Sequence, residues 1–154
     1  MRNIKFRAWN KEQKCMVYSD EVYPKSIYKL EFDFLNKFKL TLTRMTDMNK
    51  VFYANGEETC IQNFEPVDAD IMQYIEVKDE DKKEIYEGDI VERTDRTPVA
   101  QMYGRTAIGV VGFTNGSFIL NTDEGAYSIN NNKLSNMCSY RILGNIYENQ
   151  ELLK

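Results

Sequence analysis

An acidic run and an arginine-rich loop hold the residues whose types and spacing could do chemistry. Glu76, Asp79, Glu80, Asp81, Glu84, Glu87, Asp89 and Glu92 crowd one short stretch. Carboxylates spaced this way can pair for acid–base hydrolysis or converge on a hard cation. The calcium-loop pattern D-x-[DN]-x-[DN]-G is absent, however, and Lys78, Lys82, Lys83 and Arg93 interleave the run. That is the pattern of a solvated, charged hairpin. A hydrolase working on carboxylates alone is a remote alternative. Beyond the run, Arg93, Arg96 and Arg105 flank Gln101 and Tyr103 in a loop over 93–106. Arginine beside an aromatic ring can hold phosphate and stack a base. This loop is therefore the candidate nucleic-acid contact, against the competing readings of a solvated loop or a protein interface. An isoelectric point near 5.0 lacks the electrostatic footprint of a nucleic-acid binder and disfavours the first reading. Trp9, the only tryptophan, interrupts the polar side of its strand. It is either a partly buried core residue or an exposed anchor for a partner.

Absences narrow the chemistry further. The chain has no histidine, which removes the Ser-His-Asp and Cys-His constellations, the HExxH zinc site and every histidine acid–base scheme. Neither G-x-S-x-G nor a phosphate-binding G-x-x-x-x-G-K-[ST] loop occurs. Cys15, Cys60 and Cys138 are odd in number and widely spaced. They read as small core hydrophobes rather than metal ligands or a disulfide framework. No catalytic residue, metal or cofactor is expected.

The elements around these residues read as strands. Ile4-Lys5-Phe6-Arg7-Ala8-Trp9 alternates apolar and charged positions, and Cys15-Met16-Val17-Tyr18 returns after a polar turn, giving a hairpin. Residues 28–44 are ambiguous. Leu30, Phe32, Phe34, Phe38, Leu40 and Leu42 follow period two with a turn at Asn36-Lys37, while Leu30, Phe34, Phe38 and Leu42 also follow a helix face. Aromatic and β-branched content favours strands. Asp68-Ala69-Asp70 could cap a helical turn before a strand over 71–78. From residue 85 on, short strands alternate with turn signals: Gly88-Asp89, Asn115-Gly116 and Asp123-Glu124-Gly125. Leu134 to Ser139 could form one helical turn before a closing strand over 140–147. Glycines at 88, 104, 109, 112, 116, 125 and 144 would serve the bends and close approaches of a small barrel.

The chain has 154 residues, 42% hydrophobic and 29% charged, with net charge −4. It can build a core without staples. No apolar run approaches the ~20 residues of a membrane helix, and Arg2, Lys5 and Arg7 interrupt any signal-like start. A location in the cytoplasm of the cell that makes it, without membrane contact, is expected. The charge is unevenly spread: residues 1–50 carry +5, residues 51–92 carry −10 and the remainder +1. Opposed blocks of this kind can meet within one chain or between copies.

Three blocks carry a resemblance. Ile4 to Trp9, Asp79 with Lys83-Glu84-Ile85-Tyr86-Glu87-Gly88-Asp89-Ile90-Val91, and Leu143-Gly144-Asn145-Ile146-Tyr147-Glu148-Asn149 with Glu151-Leu152-Leu153 together resemble the YopX family of phage and prophage proteins. Asp81-Lys82 stands where family members often carry Asn-Gly, and Gln150 where they often carry Pro. The resemblance implies an SH3-like β-barrel in the C-terminal half and self-assembly, and it transfers no activity. The expected architecture is mainly β. Residues 1–70 would hold an N-terminal hairpin and an irregular or partly helical insertion. Residues 71–154 would hold the SH3-like barrel. The expected function is a non-enzymatic module that self-associates and binds a host or phage protein, with nucleic-acid binding through the loop from Arg93 to Arg105 as the alternative.

Overall fold

The computed structural model describes residues 3–22, 25–33, 39–53, 55–56, 58–98, 105–129 and 137–153. The protein is mainly β, with a 3-10 turn at Gln150–Leu153. Two compact units divide the chain: Phe6–Ile71, and Met1–Lys5 with Met72–Lys154.

In the first unit, β1 (Phe6–Asn10) pairs antiparallel with β2 (Cys15–Tyr18), Ala8 opposite Val17 and Trp9 opposite Met16. Asn10, fully buried, closes the turn: its side-chain oxygen accepts the amides of Glu12 and Gln13, each at 3.0 Å. An Asn side chain imitating a backbone turn is the reason a polar residue can end an apolar strand. The residues expected to be irregular or partly helical are instead strands β3 (Tyr28–Asp33), β4 (Lys39–Phe52) and β5 (Glu58–Pro66), forming one antiparallel sheet in that order. Period two prevails over period four because the even-numbered residues face each other across the β3–β4 pair, Leu30 opposite Leu42 and Phe32 opposite Leu40. Phe34, Phe38 and the Asn36-Lys37 turn lie outside the described residues. Leu42 joins Ala8, Val17, Tyr28 and Val67 in the core of this unit.

Asp68 and Asp70 cap no helix. β6 (Ala69–Lys78) starts between them, and both carboxylates pair with Lys11, at 3.1 and 2.9 Å. The apolar and aromatic residues that follow, Ile71, Tyr74, Ile75 and Val77, favour a strand over the turn of helix an Asp could cap. At the other end, Cys138 and Ser139 already belong to the last strand, and 134–136 lie outside the described residues.

In the second unit, β6 is followed by β7 (Glu84–Tyr86), β8 (Asp89–Asp95), β9 (Thr106–Thr114), β10 (Ser117–Thr122), β11 (Gly125–Ser128) and β12 (Cys138–Asn145). The last five form an antiparallel sheet in the order β11-β10-β9-β8-β12. Its inward residues Val91, Val111 and Leu120 pack with Ile129 and with Ile75 and Ile85 of β6 and β7. The Asn115-Gly116 hairpin forms as expected, both residues at positive φ, with Thr114 opposite Ser117. The thiols divide: Cys138 is buried, Cys15 half-buried and Cys60 exposed, so the core reading fails for Cys60.

The acidic run is less solvated than its composition suggests. Asp79 and Asp89 are buried. Asp79 accepts the Lys83 amide at 2.9 Å and the Ile142 amide at 3.4 Å, while Asp89 accepts the Tyr86 amide at 2.8 Å. Glu87 accepts the Gln73 amide at 2.9 Å, and Glu84 pairs with Lys5 at 2.7 Å. Carboxylates held by amides and cations close turns, and their buried oxygens keep partners. The basic and acidic blocks thus meet inside the chain at Lys5–Glu84 and at Lys11 with Asp68 and Asp70.

β12 ends in a second turn of this kind. A bulge falls between Ile142 and Gly144. Asn145 accepts the amides of Tyr147 and Glu148, each at 3.0 Å, and Asn149 folds back to accept the Asn145 amide at 3.3 Å. A Cβ at Gly144 would stand 2.4 Å from the Asn149 side-chain oxygen. Gly144→Ala should therefore expel Asn149 and lower stability by about 1–3 kcal/mol. Urea unfolding checks this, with a lowered midpoint and an unchanged m-value expected.

Candidate binding pocket

Arg93 and Asp95 stand two apart on β8, so the pleat turns them to the same side. Ala107 of β9 is the cross-strand partner of Arg93 on one edge, and Tyr140 of β12 its partner on the other. The Arg93 guanidinium lies over the Tyr127 ring, 4.9 Å from its centre. Tyr127 belongs to β11, separated from β8 by β9 and β10. Three strand spacings in a flat sheet would be about 14 Å, so the sheet curls strongly to bring the two side chains together. The concavity so formed is a cavity of about 400 Å³ lined by Arg93, Asp95, Arg105, Thr106, Ala107, Glu124 and Tyr127.

Electrostatically the pocket is mixed, with two arginines facing two carboxylates. Asp95 accepts the Thr97 amide at 2.9 Å. That hydrogen bond, with the Thr97 hydroxyl and the nearby Arg93 and Arg105 charges, holds its carboxyl below the usual range. An acid kept ionised in this way is the reverse of what a general acid at neutral pH requires. Arg93 is 4.0 Å from Asp95. Below it, burial pushes the Tyr140 phenol up, with the Cys138 sulfur 3.6 Å from its oxygen adding to the shift. Among the described residues no three His, Cys, Asp or Glu side chains gather to hold a metal ion.

Of the residues singled out from sequence, the fold brings Arg93 and Arg105 to one pocket. Arg96 is not in its lining. Its guanidinium donates to Glu80 at 2.8 Å, and Arg141 approaches the same carboxylate at 3.7 Å. Tyr103 lies outside the described residues. Trp9 is half-buried on β1, in the other unit. Tyr127 and Glu124 are the residues that sequence reasoning missed. Thirty-odd residues separate them from Arg93, no local pattern links them, and only the curl of the sheet does. Asp95 sits inside the loop already singled out and was overshadowed by its arginines.

The Glu80 carboxyl lies below its ordinary range through hydrogen bonds from Ser139 first and Arg96 second. A folded value below the unfolded one contributes stability above the unfolded value and loses it as pH falls through the folded one. Ser139→Ala or Arg96→Ala should therefore raise the Glu80 midpoint toward the ordinary glutamate value near 4.3. Carbon-detected NMR titration of the side-chain carboxyls reads this directly, and an unmoved midpoint in both variants would contradict the assignment.

The solved structure of protein EF1440 from Enterococcus faecalis is similar over 100% of both chains, with 23% identity and a TM-score of 0.55. That of protein yopX from Bacillus subtilis is similar over 97% of this chain and 98% of its own, with 18% identity and a TM-score of 0.57. At these identities the likeness shows the fold alone. A search of curated proteins finds no match. The family described as YopX protein matches residues 5–154, nearly the whole chain, and with the same fold in two relatives the conclusion is direct: this chain belongs to the YopX protein family.

Proposed function

We propose that this protein is a non-enzymatic interaction module of phage or prophage origin that self-associates and engages a protein partner in the bacterial cytoplasm. The observation that carries this reading is the β4–β5 ribbon. Beyond Met45 its two strands run on as a pair, with Met48 opposite Gln62 and Asn49 opposite Ile61. Neighbouring positions on a strand project to opposite faces, so Met48 and Ile61 present apolar surface on different sides. They are 53% and 47% exposed. A two-stranded ribbon is marginal alone in water, and apolar residues left exposed on both of its faces are what a second copy would cover. β5 also ends its sheet among the described strands, which leaves an edge suited to pairing.

The second unit is read as an SH3-like barrel, supported by the curl that joins Arg93 to Tyr127 and by the way β6 and β7 pack Ile75 and Ile85 into its core. Barrels of this size present loops and grooves for recognition. Nucleic-acid contact through Arg93 and Arg105 is the alternative, and the carboxylates between them weigh against it. No helix among the described residues is long and apolar enough to cross a membrane.

Size-exclusion chromatography with light scattering at low and high salt tests the assembly. The expected species is larger than the 18.1 kDa chain and persists in high salt, because apolar contact is not screened. Met48→Asp with Ile61→Asp should return it to the monomer with the near-ultraviolet circular dichroism of the cores unchanged. A strict monomer at every salt overturns the self-association.

A further inference from the structure

We propose that the pocket between Arg93, Arg105 and Tyr127 takes a carboxylate-bearing peptide segment. This rests on the interaction-module reading and says where a partner polypeptide docks. Arg93 is fixed by its place over Tyr127 and beside Asp95, so it forms part of the wall. Arg105 is exposed and lines the cavity. Its charge reaches Asp95, and as the more accessible of the two arginines it is the donor an incoming group meets first. A planar carboxylate matches such a guanidinium through two parallel hydrogen bonds.

Charge decides against phosphate. The two arginines and the two carboxylates, Asp95 and Glu124, leave the lining with no net charge. A phosphate group brings ~1.5 to 2 negative charges at neutral pH, and both carboxylates repel it. A single carboxylate brings one charge, which Arg105 alone can answer. The rest of the lining suits a peptide: Tyr127 and Ala107 offer apolar surface to methylene groups, while Glu124 and Thr106 offer oxygens to main-chain amides. The space of about 400 Å³ has room for a few residues. The carboxylate can come from an acidic side chain or from a chain terminus, and the two sources are separable.

Saturation-transfer NMR reads weak binding of the peptides and the oligonucleotide, and phosphate, which has no carbon-bound hydrogen, is read by its displacement of the glutamate peptide. The probes are a short glutamate-containing peptide capped at both ends, its glutamine counterpart, that counterpart with a free C-terminal carboxylate, inorganic phosphate, and an oligothymidylate. The capped glutamate peptide should respond and the capped glutamine peptide should not. Response of the uncapped glutamine peptide as well would make the terminal carboxylate a second source. Arg105→Gln, at an exposed position, should weaken binding by about tenfold. Glu124→Gln should admit phosphate, which the unaltered pocket refuses. An equal response to both capped peptides, an unchanged response in Arg105→Gln, no response at all, or tighter binding of phosphate or oligothymidylate each overturns the proposal. Light scattering on the same samples keeps the two readings apart. A monomer that still binds the peptide sinks self-association alone, and an assembly that ignores the peptide sinks the pocket alone.

Discussion

The second unit depends on one reversal, Tyr86-Glu87-Gly88-Asp89. Gly88 takes φ of +79°, a backbone conformation that side chains disfavour and glycine does not. From there its amide donates to Val111 of β9 at 2.8 Å, and its carbonyl accepts the Ile146 amide, just past β12, at 3.0 Å. Glu87 and Gln73 exchange two further hydrogen bonds that hold the turn to β6. Asp89 closes it from inside through the Tyr86 amide. Four parts of the unit thus meet at one turn. The buried Asp is tolerated there because its oxygen has a partner, and without one its burial would be costly.

This reversal was legible because its cause is local. A Gly-Asp pair ending one apolar run and opening another can be read from the residues alone, as can Asn115-Gly116 and the alternation of β1. The hydrogen bonds that make the reversal important are not local, since they reach Val111 and Ile146. The same division explains what was ambiguous or misread. Residues 28–44 carry two periodicities at once; composition favoured the strand reading that holds, but the pairing of Leu30 with Leu42 that selects it is a tertiary fact. Asp68 and Asp70 look like helix caps until Lys11, distant in sequence, takes both. The acidic run looks solvated because composition cannot distinguish a carboxylate facing water from one accepting a buried amide.

The pocket shows the limit most clearly. Arg93 and Arg105 could be chosen because arginines near an aromatic draw notice, and the aromatic then visible was Tyr103. The ring that Arg93 actually covers is Tyr127, delivered by sheet curvature. Arg96, equal to its neighbours in sequence, is drawn to Glu80. Curvature and pairing, rather than residue type, decide which charges face a common space and which are neutralised elsewhere.

The unequal burial of the three cysteines gives the molecule a built-in gauge. Reactivity of a thiol follows its access to solvent as well as its ionisation. Cys60, exposed on the outermost strand of the ribbon, is open to a maleimide in the folded chain, whereas Cys138, sealed beside the Tyr140 phenol, becomes available only when the curled sheet opens. One alkylating reagent thus separates accessibility of the ribbon from opening of the sheet, in a single chain and without an introduced label.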